Sequence, residues 1–424
     1  MTDTIFALSS GGPPAAIGVV RISGPRAGSV VEAMCGKLPE PRRAGLRTLR
    51  DDAGSALDQA LVLWFPGPRT ATGEDLAEFH CHGGRAVVRA IEKALGGFTD
   101  VRHAEPGEFT RRAFANGVID LAEAEGLGDL LAAETELQRR AAQEAVNGGL
   151  SRKVEDWRER VLRLSALVEA QLDFGDEDDV GGLPEMFHVE LSQLLHEWTK
   201  AEEAPRAERL RDGIRVVFAG PPNSGKSSLF NAILDEGAAI VSAEAGTTRD
   251  VIERPVALCG VPFVLVDTAG LREEGAGDIE RIGIERAMGE LGRADIVLWL
   301  GEEGRGPDGA LEIASRSDLG AEGKREPDHV VSAVTGDGVE ELVAGLVRRA
   351  GELLPKPGVA ALNARQGAAL SEAREALVGI ETGADFLLTA ERLRLARVAL
   401  DRLLGRQSTE DMLDALFGRF CIGK

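Results

Sequence analysis

The chain has 424 residues, a formal net charge of −21, 43% hydrophobic and 28% charged residues, and four cysteines. That length exceeds one ordinary core, so two or three domains are expected, and the acidity argues against a protein whose main task is gripping nucleic acid through a basic face. No apolar run approaches the roughly 18 residues of a membrane span, the start MTDTIFALSS lacks signal-peptide character, and Cys35, Cys81, Cys259 and Cys421 form no CxxC pair, so a cytoplasmic protein with neither a disulfide framework nor a structural zinc is expected.

Residues 1–118 are rich in glycine and short apolar runs, IGVVRISG, ALVLWF and AEFHCHGG, with a helix over Ala86–Leu95 between them. This reads as an α+β domain. Residues 119–210 read as helix: Val154, Trp157, Val161, Leu164, Leu167 and Leu172 form one amphipathic stripe. The acidic segment Phe174–Pro184 interrupts it, and Leu191, Leu194, Leu195 and Trp198 resume it. Residues 211–358 alternate strand and helix in the order of a doubly wound α/β domain, closing on the linker Leu354-Pro355-Lys356-Pro357-Gly358. Residues 359–424 are helical again, with Leu393, Ala396, Leu400 and Leu403 on one stripe. The expected architecture is multidomain: a P-loop α/β domain (211–358) inserted into an all-α domain (119–210 and 359–424), behind an N-terminal α+β domain.

The strand pattern Arg215–Ala219 runs into Gly220-Pro221-Pro222-Asn223-Ser224-Gly225-Lys226-Ser227-Ser228 and then into the helical run Leu229–Leu234. This is GxxxxGKS in the strand–loop–helix setting that cradles phosphates. Glycines let backbone N–H groups turn inward and the helix adds its positive end. Lys226 is expected to reach the β- and γ-phosphates and Ser227 to ligate Mg²⁺. Gly246-Thr247-Thr248-Arg249-Asp250 follows, with Thr248 the choice for Mg²⁺ and the γ-phosphate. The strand Phe263–Asp267 leads into Asp267-Thr268-Ala269-Gly270, where Asp267 can hold Mg²⁺ through water and the Gly270 N–H can sense the γ-phosphate. Each short motif is weak alone; in this order and spacing they define a nucleotide triphosphatase.

Guanine choice rests on Ser315-Arg316-Ser317-Asp318 in place of the usual NKxD. Asp318 is retained. Arg316 can stack on the base through its planar guanidinium, whereas Ser315 is not expected to reproduce an Asn amide. One charged-acceptor hydrogen bond is worth roughly 1.5–3 kcal/mol, so Asp318 alone would favour GTP over ATP tens-fold. Ser332-Ala333-Val334 resembles the loop that offers backbone N–H to guanine O6, while the glycine-rich stretch before it suggests a thinly built base side. After DTAG stands Leu271, where many GTPases place the glutamine that orients the attacking water, so a carboxylate of the segment Gly277–Arg286 is expected to substitute.

GPPNSGKSSLFNAIL, AIVSAEAGTTRD, DTAGLRE and DIERIGIERA resemble the tRNA-modification GTPase family called TrmE or MnmE. So do DTIFAL, GVVRISGP, TGEDLAEFHCHGG, AEPGEFTRRAFANG, LDFGDEDD and the terminal FCIGK, from residue 3 to residue 424. The resemblance implies a potassium-activated GTPase. It would act as a homodimer, in a heterotetramer with a flavin-dependent partner protein, to form (carboxymethyl)aminomethyl-type groups at C5 of the wobble uridine of tRNA. A reduced folate, 5-formyl- or methylene-tetrahydrofolate, would serve the one-carbon step. Carried over by position, Asn223, Ser242, Glu244 and Thr247 would surround K⁺ in the loop Ser242-Ala243-Glu244-Ala245-Gly246-Thr247, Glu280 would position the water, and Arg21, Glu78 and Lys424 would contact folate. Cys421 would join the modification chemistry. Val118 departs from the basic residue the family often has near its folate.

Two rivals stand beside this reading: a non-enzymatic ribosome or RNA assembly switch, and a folate-dependent transferase with a vestigial nucleotide domain. The N-terminal domain and the FCIGK end argue against the first, and the intact Lys226, Ser227, Thr248 and Asp267 against the second. His80-Cys81-His82 makes a poor metal site, since neighbouring strand positions alternate faces. The basic spots Arg42/Arg43, Arg111/Arg112, Arg139/Arg140 and Arg392–Arg406 read as solvated faces.

Overall fold

A computed structural model describes residues 3–174, 183–237, 252–268, 288–320, 324–356, 361–380, 385–407 and 409–423. The chain divides into two compact units, one made of 1–128, 150–156 and 398–424 and the other of 129–149 and 157–397.

The first unit is built on a six-stranded sheet of β1 (Thr4–Leu8), β2 (Ile17–Ser23), β3 (Gly45–Arg50), β4 (Ala56–Phe65), β5 (Leu76–His82) and β6 (Val101–His103). Their order is β3-β4-β5-β2-β1-β6, antiparallel except for the parallel β1–β6 pair. Alternation divides the side chains between two faces. Phe6, Val20, Ile22, Val62, Phe79 and Cys81 face a core closed by the helices Ala27–Cys35 and Arg85–Leu95, which contribute Val30, Val31, Met34, Val88 and Ile91. On the opposite face Ile5 and Ala7 meet Phe109, from the helix Glu108–Ala115. That helix is anchored by charge. Arg112 has no exposed side-chain surface and is bonded by Asp3, Glu74 and Glu108, so it is an interior ion-pair centre and not the solvated residue expected from sequence. Glu108 also takes a forked bond from Arg102 at 2.8 and 2.6 Å.

The second unit contains the other sheet: β7 (Ile214–Ala219), β8 (Ile252–Leu258), β9 (Val261–Asp267), β10 (Ile296–Trp299), β11 (Leu311–Ser315) and β12 (His329–Val331). The order is β12-β11-β10-β7-β9-β8, parallel except for β8–β9. A first strand flanked on both sides by later parallel strands makes a topological switch point, and ligands of such sheets bind outside the carboxyl ends of the strands. The core joins Val216, Phe218, Leu229, Phe230, Ile233, Phe263, Leu265, Leu298 and Ile313 to Leu342 and Leu346 of the helix Val339–Leu353.

The helical stretches form as expected, with one shift of face. In the helix Gly149–Phe174 the residues Val154, Trp157, Val161, Leu164 and Val168 are buried, while Leu167 is half-buried and Leu172 exposed. The steps 3, 4, 3, 4 lead from Val154 to Val168, and Leu167 falls off that line; Leu172 keeps to it, five turns on from Val154, but lies in the last turn of the helix. Trp157 meets Trp198 of the helix Glu185–Glu203 edge to face at 6.0 Å and donates to Glu197 at 3.0 Å. Leu393, Ala396, Leu400 and Leu403 are all fully buried. Several arginines from the basic spots are paired: Arg139 and Arg140 with Glu136 and Arg394 with Glu391 within one helical turn, and Arg406 with Glu155 and Arg111 with Glu410 and Asp414 between distant segments. No helix among the described residues is long and apolar enough to cross a membrane.

Candidate functional site

Strand β7 delivers the chain into the loop 220–225, and the helix Lys226–Glu236 starts at once beyond it. The turn needs unusual backbone: φ is 144° at Gly220, 59° at Asn223 and 94° at Gly225. A Cβ on Gly220 would lie 3.0 Å from the Leu300 backbone, so that position combines a left-handed conformation with close approach to β10's exit. Lys226 is 6% exposed, and its ammonium donates to the carbonyls of Gly220 (3.1 Å) and Pro221 (2.8 Å). The lysine thereby folds back over the loop that its own helix follows. Ser227 Oγ donates to Asp267 Oδ2 at 2.6 Å, which brings together the two oxygen donors that sequence assigned to Mg²⁺. Thr268 Oγ1 donates to the Phe218 carbonyl at 2.7 Å, fastening the end of β9 to β7. Asn223 and Ser228 are exposed at the rim, and the Ser224 hydroxyl is buried with no hydrogen-bond partner.

The base side is formed by the ends of β11 and β12. Arg316 adopts φ 61°, ψ 44° and turns the chain into a single 3₁₀ turn, Ser317–Leu319. Asp318 Oδ1 accepts from Ser332 Oγ at 2.7 Å. Ser332 is fully buried and also accepts from the N–H groups of Val334 and Thr335, while Ala333 is half-buried and Val334 exposed. The expectation of a thinly built base side is corrected here, because two loops meet through these bonds. The role of Ser315 is corrected as well: its hydroxyl reaches the phosphate loop, donating to the Ser224 carbonyl at 2.7 Å. Sequence reasoning set it aside as too short for an amide's role, although its place in the NKxD frame was the available signal.

Ser242, Ala243, Glu244, Ala245, Gly246, Thr247, Thr248, Ala269, Gly270, Leu271, Glu280 and Lys424 lie outside the described residues.

In the other unit, Arg21 and Glu78 are register partners across β2 and β5. The guanidinium holds Glu78 Oε1 through bonds of 3.0 and 2.9 Å, and its Cζ lies 5.8 Å from the Phe109 ring centroid. His80 bonds the other carboxylate oxygen at 3.2 Å. Burial acts to raise the Glu78 pKa, but the bonds from His80 and Arg21 outweigh it and hold the carboxyl below its ordinary range. His82 pairs with Asp58 at 2.7 Å, and Cys81 is buried against Gly18, so the HCH triplet is spent on separate structural contacts. Val118 is 41% exposed.

The last residues return to this same unit. Ile422 forms an antiparallel bridge with Pro106, and Ser9 Oγ donates to the Gly423 carbonyl at 2.8 Å. Gly423 is buried at φ 96°, and Cys421 is exposed. The tail is held by backbone and glycine contacts, so its thiol is free of the packing. Nothing in the sequence marked Ser9.

Comparison with known proteins covers both units. The helical domain of MnmE matches residues 121–421, and the N-terminus of the GTP-binding protein TrmE matches residues 4–118. A tRNA modification GTPase MnmE of Erythrobacter litoralis is 62% identical over 423 residues, and one of Novosphingobium aromaticivorans is 57% identical over 437; each alignment covers 100% of both chains. Among solved structures, the G domain of the T. maritima FeoB iron transporter aligns with 24% identity, covering 32% of this chain and 98% of that one, at a TM-score of only 0.24. With one domain model spanning well over half of the sequence and relatives of this identity aligned from end to end, the chain belongs to the MnmE (TrmE) family of tRNA modification GTPases.

Proposed function

We propose that this chain hydrolyses GTP and couples the hydrolysis to forming (carboxymethyl)aminomethyl-type groups at C5 of wobble uridine in tRNA, with a flavin-dependent partner protein and a reduced folate. The observation that carries the reading is the cluster at the strand ends: Lys226 folded over the phosphate loop, Ser227 bonded to Asp267, and Asp318 bonded to Ser332. The first two are a phosphate and cation grip, and the third is a base acceptor oriented from behind by a hydroxyl.

The residues fit the cofactors the reading needs. Ser227 and Asp267 bring hard oxygen donors within 2.6 Å of each other, the chemistry Mg²⁺ prefers, and Thr248 would complete the set. Asn223 offers an exposed amide oxygen at the loop rim, which suits K⁺ together with Ser242, Glu244 and Thr247. Bound there, the cation would offset charge developing on the transferred phosphoryl group, an effect worth roughly 10³–10⁵ in rate where an arginine finger serves. Lys226 binds and orients the phosphates, and Glu280 would hold the attacking water. Arg21 and Glu78, paired beside the buried Phe109, offer a guanidinium and a carboxylate to a pterin and its glutamate tail, with Lys424 nearby in sequence to the docked Gly423. Cys421, on that tail, would take part in the one-carbon step. In this reading residues 1–118 bind folate and pair two copies, 119–210 and 359–424 form the helical domain, and 211–358 hydrolyse GTP in the cytoplasm.

Nucleoside analysis of tRNA from a strain lacking the gene tests the reading. Unmodified wobble uridine, restored by the wild-type gene and not by Lys226→Ala, is the expected result. Full modification in the deletion strain would remove tRNA from the function. Equal GTP turnover of the purified chain in K⁺ and Na⁺ at matched ionic strength would remove potassium.

A further inference from the structure

Two loops that recognise different ends of a nucleotide are joined by one side chain. Ser315, the last residue of β11, donates its hydroxyl proton to the Ser224 carbonyl at 2.7 Å across 91 residues of sequence. On one side of this bond, Ser224 precedes Gly225 and Lys226 in the phosphate loop. On the other, Ser315 precedes the left-handed Arg316 and the turn that carries Asp318. The two segments are in close approach: a Cβ on Gly225 would sit 3.6 Å from Ser315 Oγ and 3.7 Å from Arg316 Nε. The base-side turn is tied from its far side too, through Ser332 Oγ to Asp318. A planar amide would span this gap with a longer arm. Here the donor is a hydroxyl on a side chain with a single rotor, so the backbone of the two loops must already stand close for the bond to form.

We propose that Ser315 is a positioning residue for nucleotide binding: its hydroxyl couples the base-reading turn of Asp318 to the phosphate loop, so that guanine contacts and phosphate contacts strengthen each other. The inference rests on the nucleotide reading given above. It assigns no direct nucleotide contact to Ser315.

The coupling predicts a split that simple support of the phosphate loop would not. A ligand that fills both subsites should sense the bond, and one that fills only the phosphate subsite should not. The full-length chain, Ser315→Ala and Ser315→Asn are compared by release of a fluorescent GDP and by competition with inorganic tripolyphosphate. Ser315→Ala is expected to release GDP roughly 2- to 12-fold faster, the range for one net hydrogen bond, with tripolyphosphate affinity unchanged within about twofold. Ser315→Asn, which keeps a donor, should restore slow release. Equal weakening of GDP and tripolyphosphate in Ser315→Ala would overturn the coupling and leave a residue that shapes the phosphate loop alone. Unchanged GDP release would show that the bond contributes nothing, and failure of Ser315→Asn to restore would show that the donor is not what acts. A wild-type chain that binds neither ligand would instead overturn the nucleotide reading itself.

Discussion

Replacing Gly423 by alanine attacks the docked tail at a single atom. A Cβ there would lie 2.2 Å from the Leu8 carbonyl oxygen, 2.9 Å from its carbon and 3.0 Å from the Ser9 Cα. All three are backbone atoms of, or next to, strand β1, so no side chain can swing aside to make room. The residue also sits at φ 96°, where an L side chain costs on the order of 1–2 kcal/mol. If the tail shifts to relieve the clash, the Ser9 Oγ bond to the Gly423 carbonyl breaks, removing about 1 kcal/mol more. What holds the segment is that bond, the Ile422–Pro106 bridge and the burial of Phe420 with Phe417 and Ala124. A penalty of roughly 2–3 kcal/mol lowers the docked fraction by some 30- to 150-fold relative to the undocked one. Hydrogen exchange of the amides of residues 419–423, with GTP turnover as a control in the other unit, measures the effect. Fast exchange with normal turnover is expected, together with loss of wobble-uridine modification in cells. Unchanged protection of those amides would refute the argument, since a 2.2 Å contact cannot persist in a docked tail.

Three further outcomes follow from the same kind of reading. Val168→Ala should destabilise the helical core by roughly 1.5–3 kcal/mol in denaturant melts, whereas Leu172→Ala should change it little; equal costs would put the buried face elsewhere. Asp318→Asn should weaken GTP and favour xanthosine triphosphate, because an amide presents a donor where guanine also donates, and competition binding reads the exchange of preference. Asp3 and Glu108 are both held below the ordinary carboxylate range: burial opposes this, and the bonds from Arg102, with Arg112 adding to them, outweigh it. Depressed carboxyls lend stability that is complete above about pH 4–4.5 and disappears as pH falls through their folded values. Acid unfolding of the first unit should therefore become less steep in Arg102→Met, and an unaltered pH profile would show the two carboxylates to be uncoupled from folding.

Much of this protein is legible along the chain because its signals are local. GxxxxGKS demands a strand, a glycine turn and a helix whatever surrounds them, and β7, the loop and the helix Lys226–Glu236 follow in that order. Heptad-like spacing alone places Leu393, Ala396, Leu400 and Leu403 inside, since the helical period is intrinsic to the backbone. Register reads less well: the choice between Leu167 and Val168 depends on which face turns with Trp157 toward Trp198, and that is set by the partner helix. What only the tertiary structure decided are bonds between residues far apart in sequence. Arg112 is interior because Asp3 and Glu74, from distant segments, converge on it beside Glu108 of its own helix, Ser315 reaches Ser224 because β11 ends beside the phosphate loop, and Cys421 is exposed because Gly423 and Ser9, 414 residues apart, hold the tail by its backbone. A sequence specifies the chemistry of each of these groups, and only folding brings the partners within the 3 Å at which a hydrogen bond has any strength.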